Sequence, residues 1–319
     1  MLLQHSNILL LKALIYKSTG SWYIAKCEDG IFRNCRIKGK LKLDRYITST
    51  NPIAVGDHVI VELESNPEDT AMIAAIETRS NYLVRTSPHS KFQKHIVASN
   101  LTQSIILATL KDPKTSLGFI DRFLVTCEAY HIPAIIVINK SDTLDEMDKM
   151  YYEEIYSIYT KIGYPVHLIS AEKKINMDTL HHLLKDKITL MTGHSGVGKS
   201  TLINQLIPAQ DIRVQEVSDW SGKGMHTTTF AQMYDLPQGG QLIDTPGIRE
   251  LGIVDINRAE LSGYFPEMKR ILQACKYNNC NHFNTPHCAV KQAVMDGIIS
   301  QERYISYAKI FESIDEKSY

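Results

Sequence analysis

In the first part of the chain, apolar and polar residues alternate in short runs separated by turn formers. Lys12–Lys17, Ser21–Lys26, Ile31–Ile37, His58–Leu63 and Ala71–Glu77 read as strands. Ser18-Thr19-Gly20, Cys27-Glu28-Asp29-Gly30 and Val55-Gly56-Asp57 break them apart. With no helical period here, a small barrel of the OB-fold type is expected over residues 1–78. Past residue 97 the pattern changes. Leu101–Leu110, Ala134–Ile138, Val166–Ile169 and Ile188–Thr192 are apolar runs, with amphipathic stretches at 119–131, 145–162 and 176–186 between them. That alternation predicts a parallel sheet covered by helices on both faces, with ligands at the carboxyl ends of the strands. The α/β domain is placed at 79–250, its first part, 79–97, being a linker. Residues 251–319 read as mostly helical, through Ala289–Gly297 and Gln301–Ser313, around a Cys-rich loop. So small a segment has little core of its own, and a metal staple fits it.

Composition narrows this picture. The chain has 319 residues, long enough for roughly two to three domains. It is 44% hydrophobic and 22% charged, as in globular proteins. Its 35 basic residues cancel its 35 acidic ones, so a polyanion-binding face has to be a local patch. Arg33, Arg36, Lys38, Lys40, Lys42 and Arg45, opposed only by Asp44, form such a run on the barrel. Of Trp22 and Tyr23 nearby, at least one is expected in the barrel core. No apolar run reaches the roughly 18 residues of a membrane span. Ile8–Leu11 lacks the flanks of a signal peptide, so a cytoplasmic protein without a membrane partner is expected. Of six cysteines, Cys27, Cys35 and Cys127 are scattered, whereas Cys275, Cys280 and Cys288 are close together. Clustering of that kind reads as a metal site in a reducing compartment.

Candidate chemistry lies at the ends of the predicted strands. Gly193-His194-Ser195-Gly196-Val197-Gly198-Lys199-Ser200 fits G-x-x-x-x-G-K-S between the strand Ile188–Thr192 and the helical stretch Lys199–Leu206. Its glycines let backbone N–H groups turn around phosphate oxygens, and the helix N-terminus adds its dipole. Lys199 is expected on the β- and γ-phosphates and Ser200 on Mg²⁺, with Thr201 included in the nucleotide-binding set. Asn139-Lys140-Ser141-Asp142 ends the strand Ala134–Ile138 and matches N-K-x-D. The Asp142 carboxylate suits guanine, which offers it two donors, N1–H and the exocyclic amine. Adenine offers no such pair and would leave the carboxylate unpaired. Asn139 is expected to brace the loop and meet the base edge, and the Lys140 stem to cover the ring. Ser170-Ala171 is expected behind the base.

Asp244-Thr245-Pro246-Gly247 matches D-x-P-G. Asp244 is expected to hold Mg²⁺ through water, and the Gly247 N–H to meet the γ-phosphate. Thr228, with Thr227 as the alternative, is expected to complete the Mg²⁺ shell. GTPases commonly orient the attacking water with a Gln after the D-x-x-G glycine; here that position is Ile248. His226, beside the threonines, is therefore the candidate for the water-positioning role. Cys275, Cys280, His282 and Cys288 form a full tetrahedral Cys₃His set for one structural zinc, with His287 the competing imidazole.

These motifs stand in an unusual order. The base-specificity segment precedes the phosphate loop, and the threonine and D-x-P-G segments follow it. The chain thus resembles the circularly permuted GTPases, and in detail the ribosome-small-subunit-dependent GTPase A family. The G-x-S-G-V-G-K-S loop, the G-x-H-T-T-T segment and the C-x₄-C-x-H-x₅-C cluster carry the likeness over nearly the whole chain. Met225 departs from it, at a position usually polar or basic. The resemblance implies a cytoplasmic, GTP- and GDP-binding factor of late small-ribosomal-subunit maturation. It implies rRNA binding and slow hydrolysis stimulated by that subunit. It makes His226 catalytic, and it selects His282 over His287. A monomer is expected. The segment Ile248–Gly252 is expected to carry nucleotide state into the metal-binding tail. A nucleotide-gated module on non-ribosomal RNA is the competing reading; an ATP-using P-loop kinase is disfavoured by Asn139–Asp142.

Overall fold

The computed structural model describes residues 9–39, 51–63, 70–87, 90–207, 231–245 and 256–314, with backbone alone for 86–87 and 90–93. In chain order the strands before the first helix are β1 (Leu10–Ser18), β2 (Tyr23–Cys27), β3 (Phe32–Ile37), β4 (His58–Leu63), β5 (Thr70–Ile76), β6 (Tyr82–Ser87), β7 (Ser90–Ser99) and β8 (Gln103–Ala108). Next come α1 (Leu117–Ala129), β9 (Ala134–Ile138), α2 (Glu146–Ile162), β10 (Val166–Leu168), α3 (Met177–Leu184), β11 (Ile188–Thr192) and α4 (Lys199–Leu206). Then follow β12 (Gln232–Asp235), β13 (Gln241–Asp244), α5 (Pro266–Lys269), α6 (Ala289–Met295) and α7 (Gln301–Ser313). The chain divides into two compact units: 1–102 with 181–191 and 203–247, and 103–180 with 192–202 and 248–319.

The first unit holds the barrel. β1 pairs antiparallel with both β2 and β4, β2 with β3, and β4 with β5, while β3 runs parallel to β5. The ring closes in the order β1-β2-β3-β5-β4, a small OB-like barrel. Period-two patterning does the folding work: along β2, Tyr23, Ala25 and Cys27 turn inward and the residues between them outward. Ile15, Val59, Val61 and Ile73 complete the core around them.

Residues 79–97, expected as a linker, are instead largely paired: β6 and β7 form a hairpin with Tyr82 opposite Ser99. A buried carboxylate fastens this hairpin to the barrel. Asp57 is fully buried and accepts from Arg79 Nε and Nη2 and from Ser99 Oγ, each at 2.6 Å, and from the Ala54 N–H at 2.8 Å. Such complete bonding is what makes a buried charge tolerable. Next to it Gly56 has φ +92°, and a Cβ there would lie 2.2 Å from the Ser99 carbonyl oxygen. Gly56→Ala is therefore expected to destabilise the protein by about 3 kcal/mol, from backbone strain plus the forced shift of β7. Thermal denaturation reads this as a fall of about 6–12 °C; an unchanged Tm would mean that the two backbones do not meet there.

Also in this unit, β11 runs parallel to β13. β12, however, is antiparallel to β13, and it reaches the barrel through Lys17 of β1 opposite Gln232. Tyr16 Oη and Lys26 Nζ each meet the Asp235 carboxylate at 2.6 Å.

The second unit carries the parallel run β8-β9-β10. β8 and β9 are buried along their whole length, which is why they read as unbroken apolar runs. α1 starts where Ser116 Oγ accepts from the Phe119 N–H. α2 starts with a capping box between Asp145 and Asp148 and stops at Gly163, φ 111°. The C-terminal helices do not keep a core to themselves. Phe265, Met268, Val290, Tyr307 and Ile310 close around Val125 of α1, which is how so short a segment stays ordered. Among the described residues, no helix is long and apolar enough to cross a membrane.

Candidate nucleotide and metal sites

The predicted base and phosphate segments, 54 positions apart from Asn139 to Gly193 in the chain, meet within the second unit. Asn139 is the joint. Its Nδ2 donates to the Val197 carbonyl of the phosphate loop at 2.9 Å, and its Oδ1 accepts from the Ala171 N–H at 3.0 Å. One 3%-exposed side chain thus ties three loops together. Asp142 is exposed, and one of its oxygens accepts from Ser170 Oγ. Ser170 is itself held by a two-way backbone exchange with Ile175. A carboxylate has capacity for several donors, so Asp142 is able to accept from a base as well as from Ser170. Lys140 adopts φ 67°, and its Nζ donates to the Asp112 carbonyl.

In the phosphate loop, Gly196 and Gly198 have φ 87° and 91°, the left-handed backbone that glycine adopts without strain. Gly198 also has no room for a side chain: a Cβ would lie 2.4 Å from Asn139 Nδ2. At Gly193 a Cβ would lie 2.5 Å from the Leu107 carbonyl oxygen. Val197 is fully buried and anchors the loop, whereas Ser195 and Gly196 are exposed. Lys199 opens α4, followed by Ser200 and Thr201 on its exposed first turn. His194 lies edge-on to the Phe119 ring of α1 at 4.8 Å, and burial lowers its pKa.

The segment after β8 is a wall of this site that sequence reading did not name. Besides receiving Lys140, it brings Pro113 to within 3.1 Å of where a Gly196 Cβ would stand. Thr109 and Thr115 tie its two ends together. Its only sequence signal was the Asp112-Pro113 turn pair at a strand's carboxyl end.

Asp244 ends β13 in the first unit, half-buried, and Thr245 after it is buried. His226, Thr227, Thr228 and Gly247 lie outside the described residues, as does the segment Ile248–Gly252.

Cys275, Cys280, His282 and Cys288 bring one donor atom each to within 4.8 Å of one another. His282 Nδ1 lies 3.8 Å from Cys275 Sγ and 3.4 Å from Cys288 Sγ. The N–S edge of a tetrahedral zinc site is about 3.5 Å, from bond lengths near 2.3 and 2.0 Å. The donor set therefore fits such an ion. Burial lowers the His282 pKa, which favours the neutral imidazole that a metal needs. Burial also raises Cys280, but hydrogen bonds from Thr285, the His282 N–H and the neighbouring thiols outweigh it and leave its pKa low. Cys288 is pushed up by burial to about 11, although the Lys291 N–H donates to its sulfur. His287, the alternative imidazole, is not in the cluster.

On the barrel the basic run is reduced. Arg33 is 5% exposed and forms a two-pronged pair with Asp29, so it is a structural residue rather than an open cation. Lys38 pairs with Glu62. Arg36 is exposed and stacks on Trp22 at 4.1 Å, while Tyr23 packs inside. Lys40, Lys42, Asp44 and Arg45 lie outside the described residues.

A phosphate loop and an N-K-x-D loop braced by one asparagine, with the base segment earlier in the chain, define a circularly permuted GTPase. The comparisons carry this further. The family model for RsgA GTPase matches residues 76–254, and that for the RsgA N-terminal domain matches 12–72. A small ribosomal subunit biogenesis GTPase RsgA of Bacteroides fragilis is 46% identical over 97% of this chain and 99% of that one. Its counterpart in Cytophaga hutchinsonii is 50% identical over 94% and 97%. The crystal structure of YjeQ from Thermotoga maritima superposes with TM-score 0.76 at 33% identity, covering 95% of this chain and 98% of that one. That of YloQ, described as a circularly permuted GTPase, gives 0.74 at 29%, covering 99% of both. The chain belongs to the RsgA GTPase family and is a GTP-hydrolysing enzyme.

Proposed function

We propose that this protein hydrolyses GTP to GDP and phosphate on the maturing small ribosomal subunit, binding its rRNA and turning over faster when bound. The observation that carries the reading is Asn139, bonded at once to the phosphate loop and to the Ser170-Ala171 loop. It supports one nucleotide held at both ends: guanine by Asp142, the triphosphate by Gly193–Thr201. The relatives named above support the ribosomal setting. The division of labour follows the chain, with an RNA-binding barrel at 1–78, the GTPase domain at 79–250 and a metal-binding helical domain at 251–319. The protein acts in the cytoplasm as a monomer.

In hydrolysis, Lys199 and the backbone N–H groups of the loop hold the phosphates, so the charge that spreads over them in the transition state meets fixed donors. Ser200 and Thr228 would hold the Mg²⁺ that accompanies GTP and Asp244 would hold its water, and the ion would offset charge on the phosphates, while the Gly247 N–H would meet the γ-phosphate. His226 orients the attacking water, since Ile248 has no polar atom for the task. On the barrel, Arg36 and Trp22 offer a cation and an exposed ring to an RNA strand.

The test is GTP turnover by the purified protein with small ribosomal subunits, with free RNA, and alone. Stimulation by subunits and not by free RNA is expected; equal stimulation by free RNA would favour a nucleotide-gated module on other RNA, and none at all would sink the proposal. In the same assay, His226→Ala is expected to lower stimulated kcat by on the order of 10² with little change in KM. Full retention of turnover would remove His226 from the mechanism.

One structural zinc per chain is proposed on Cys275, Cys280, His282 and Cys288. Metal analysis is expected to return one equivalent, lost in Cys288→Ser. Chelation is expected to lower Tm by on the order of 10 °C; a chelator-indifferent Tm would argue for buried free thiols.

A further inference from the structure

The metal cluster and the phosphate loop are joined by packed side chains. His282 is 2% exposed. Its carbonyl accepts from Tyr304 Oη at 2.8 Å, the Asn281 carbonyl accepts from Tyr307 Oη at 3.0 Å, and the His282 and Tyr307 rings lie 5.9 Å apart. Both tyrosines belong to α7. So does Arg303, which is 1% exposed and sits between two carboxylates. Its Nη1 meets Asp121 Oδ1 at 2.6 Å, and its Nε meets Glu267 Oε1 at 2.7 Å. Asp121 lies on α1 and also accepts from Tyr159 Oη at 2.6 Å. Phe119, two positions earlier on the same helix, is the residue whose ring meets His194.

The contacts in the middle of this run are not easily slid. Asp121 is fully buried and its Oδ2 has no hydrogen-bond partner. Its charge is therefore balanced at Oδ1, by Arg303 and Tyr159. Separating α7 from α1 would leave Arg303 with Glu267 alone and the buried Asp121 carboxylate without its cation, a costly change for a core. The two helices are consequently held together, and Val125 of α1 lies in the same core as Tyr307 and Ile310 of α7.

We infer that Phe119, Asp121 and Arg303 are positioning residues that make nucleotide affinity depend on the Cys/His cluster. A filled cluster fixes α7, Arg303 fixes α1 to α7, and Phe119 presents α1 to the His194 side of the phosphate loop. The link runs through side chains of the second unit and needs nothing from residues 246–255. It rests on the reading of Gly193–Thr201 as the nucleotide site. Because coupling is reciprocal, bound nucleotide must tighten metal binding by the same factor that metal tightens nucleotide binding.

The experiment uses the full chain with its metal as purified. A fluorescent GDP analogue is titrated before and after chelation, and metal retention against a competing chelator is measured with and without saturating GDP. In the parent, chelation is expected to weaken GDP binding about tenfold, and GDP to raise metal retention by the same factor. Phe119→Ala is expected to weaken GDP binding with the metal in place, and chelation then to add less than about twofold. An equal chelation effect in parent and variant, or none in the parent, overturns the inference. If the stripped parent loses its helical circular dichroism, Phe119→Ala, Arg303→Gln and the double variant are compared with metal bound. A double no weaker than the weaker single supports the link, and additive losses overturn it. A folded parent that binds no GDP would sink the nucleotide-site reading itself, whereas GDP binding indifferent to metal and to both substitutions would sink only the link.

Discussion

Gly198→Ala is expected to cost the protein roughly 10²–10³-fold in GDP affinity while leaving its circular dichroism unchanged. Two effects add. A non-glycine residue held near φ +91° is strained by about 1–2 kcal/mol. The new methyl would also stand 2.4 Å from Asn139 Nδ2, so Asn139 has to move. That gives up its bonds to the Val197 carbonyl and the Ala171 N–H, worth about 1 kcal/mol each. The sum is about 3–4 kcal/mol, and roughly 1.4 kcal/mol is a factor of ten. The free chain is able to relax the loop, but the bound one is not, since its N–H groups have to stay aimed at phosphate. A titration with fluorescent GDP reads the loss directly. Affinity within tenfold of the parent would show that the loop and Asn139 do not need to coincide when nucleotide is bound.

Asp142→Asn should do more, losing on the order of 10³–10⁴ in GTP affinity. The structure makes this a clean exchange. Ser170 Oγ donates to Asp142 Oδ1, and the Asn amide oxygen is able to keep that bond, turning its NH₂ toward the base. That NH₂ then faces the donors N1–H and 2-NH₂ of guanine, leaving donors unpaired on both sides. Xanthine carries a carbonyl at that position and is able to accept from the amide. The variant should therefore prefer xanthosine over guanosine nucleotides. Competition of the two against a labelled nucleotide measures it, and unchanged guanine preference would place the base elsewhere.

The parts legible in the sequence were those encoded locally. β9, β11 and α4 fall where their apolar runs and the P-loop pattern put them. The barrel strands fall within a residue or two of their predicted bounds, because period-two burial marks each one separately. The β6–β7 hairpin was missed: in the sequence Ser80-Asn81 precedes it and Ser87-Pro88-His89 interrupts it, and this polar punctuation outweighed two modest strands. β12 has only the four residues Gln232–Asp235, with polar ends, too few to display a period. Arg33 was taken for surface charge because nothing local announced that Asp29, across the turn, would bury it. The least legible features were tertiary. Asp121 sits on an ordinary amphipathic helix and is buried only because Arg303 arrives from far along the chain. The meeting of Lys140 with Asp112 likewise has no signature in either segment.

The antiparallel strand β12 gives the barrel a second office. On one side β12 is paired with β13, and on the other its neighbour is β1. A chain shortened to start after residue 78 would leave that outer flank as a bare row of amide and carbonyl groups, and Asp235 without Lys26 and Tyr16. Open flanks of this kind recruit further chains and seed aggregates. The N-terminal barrel is thus also a guard against self-association, and the GTPase portion isolated from it should be judged by its solubility before its catalysis.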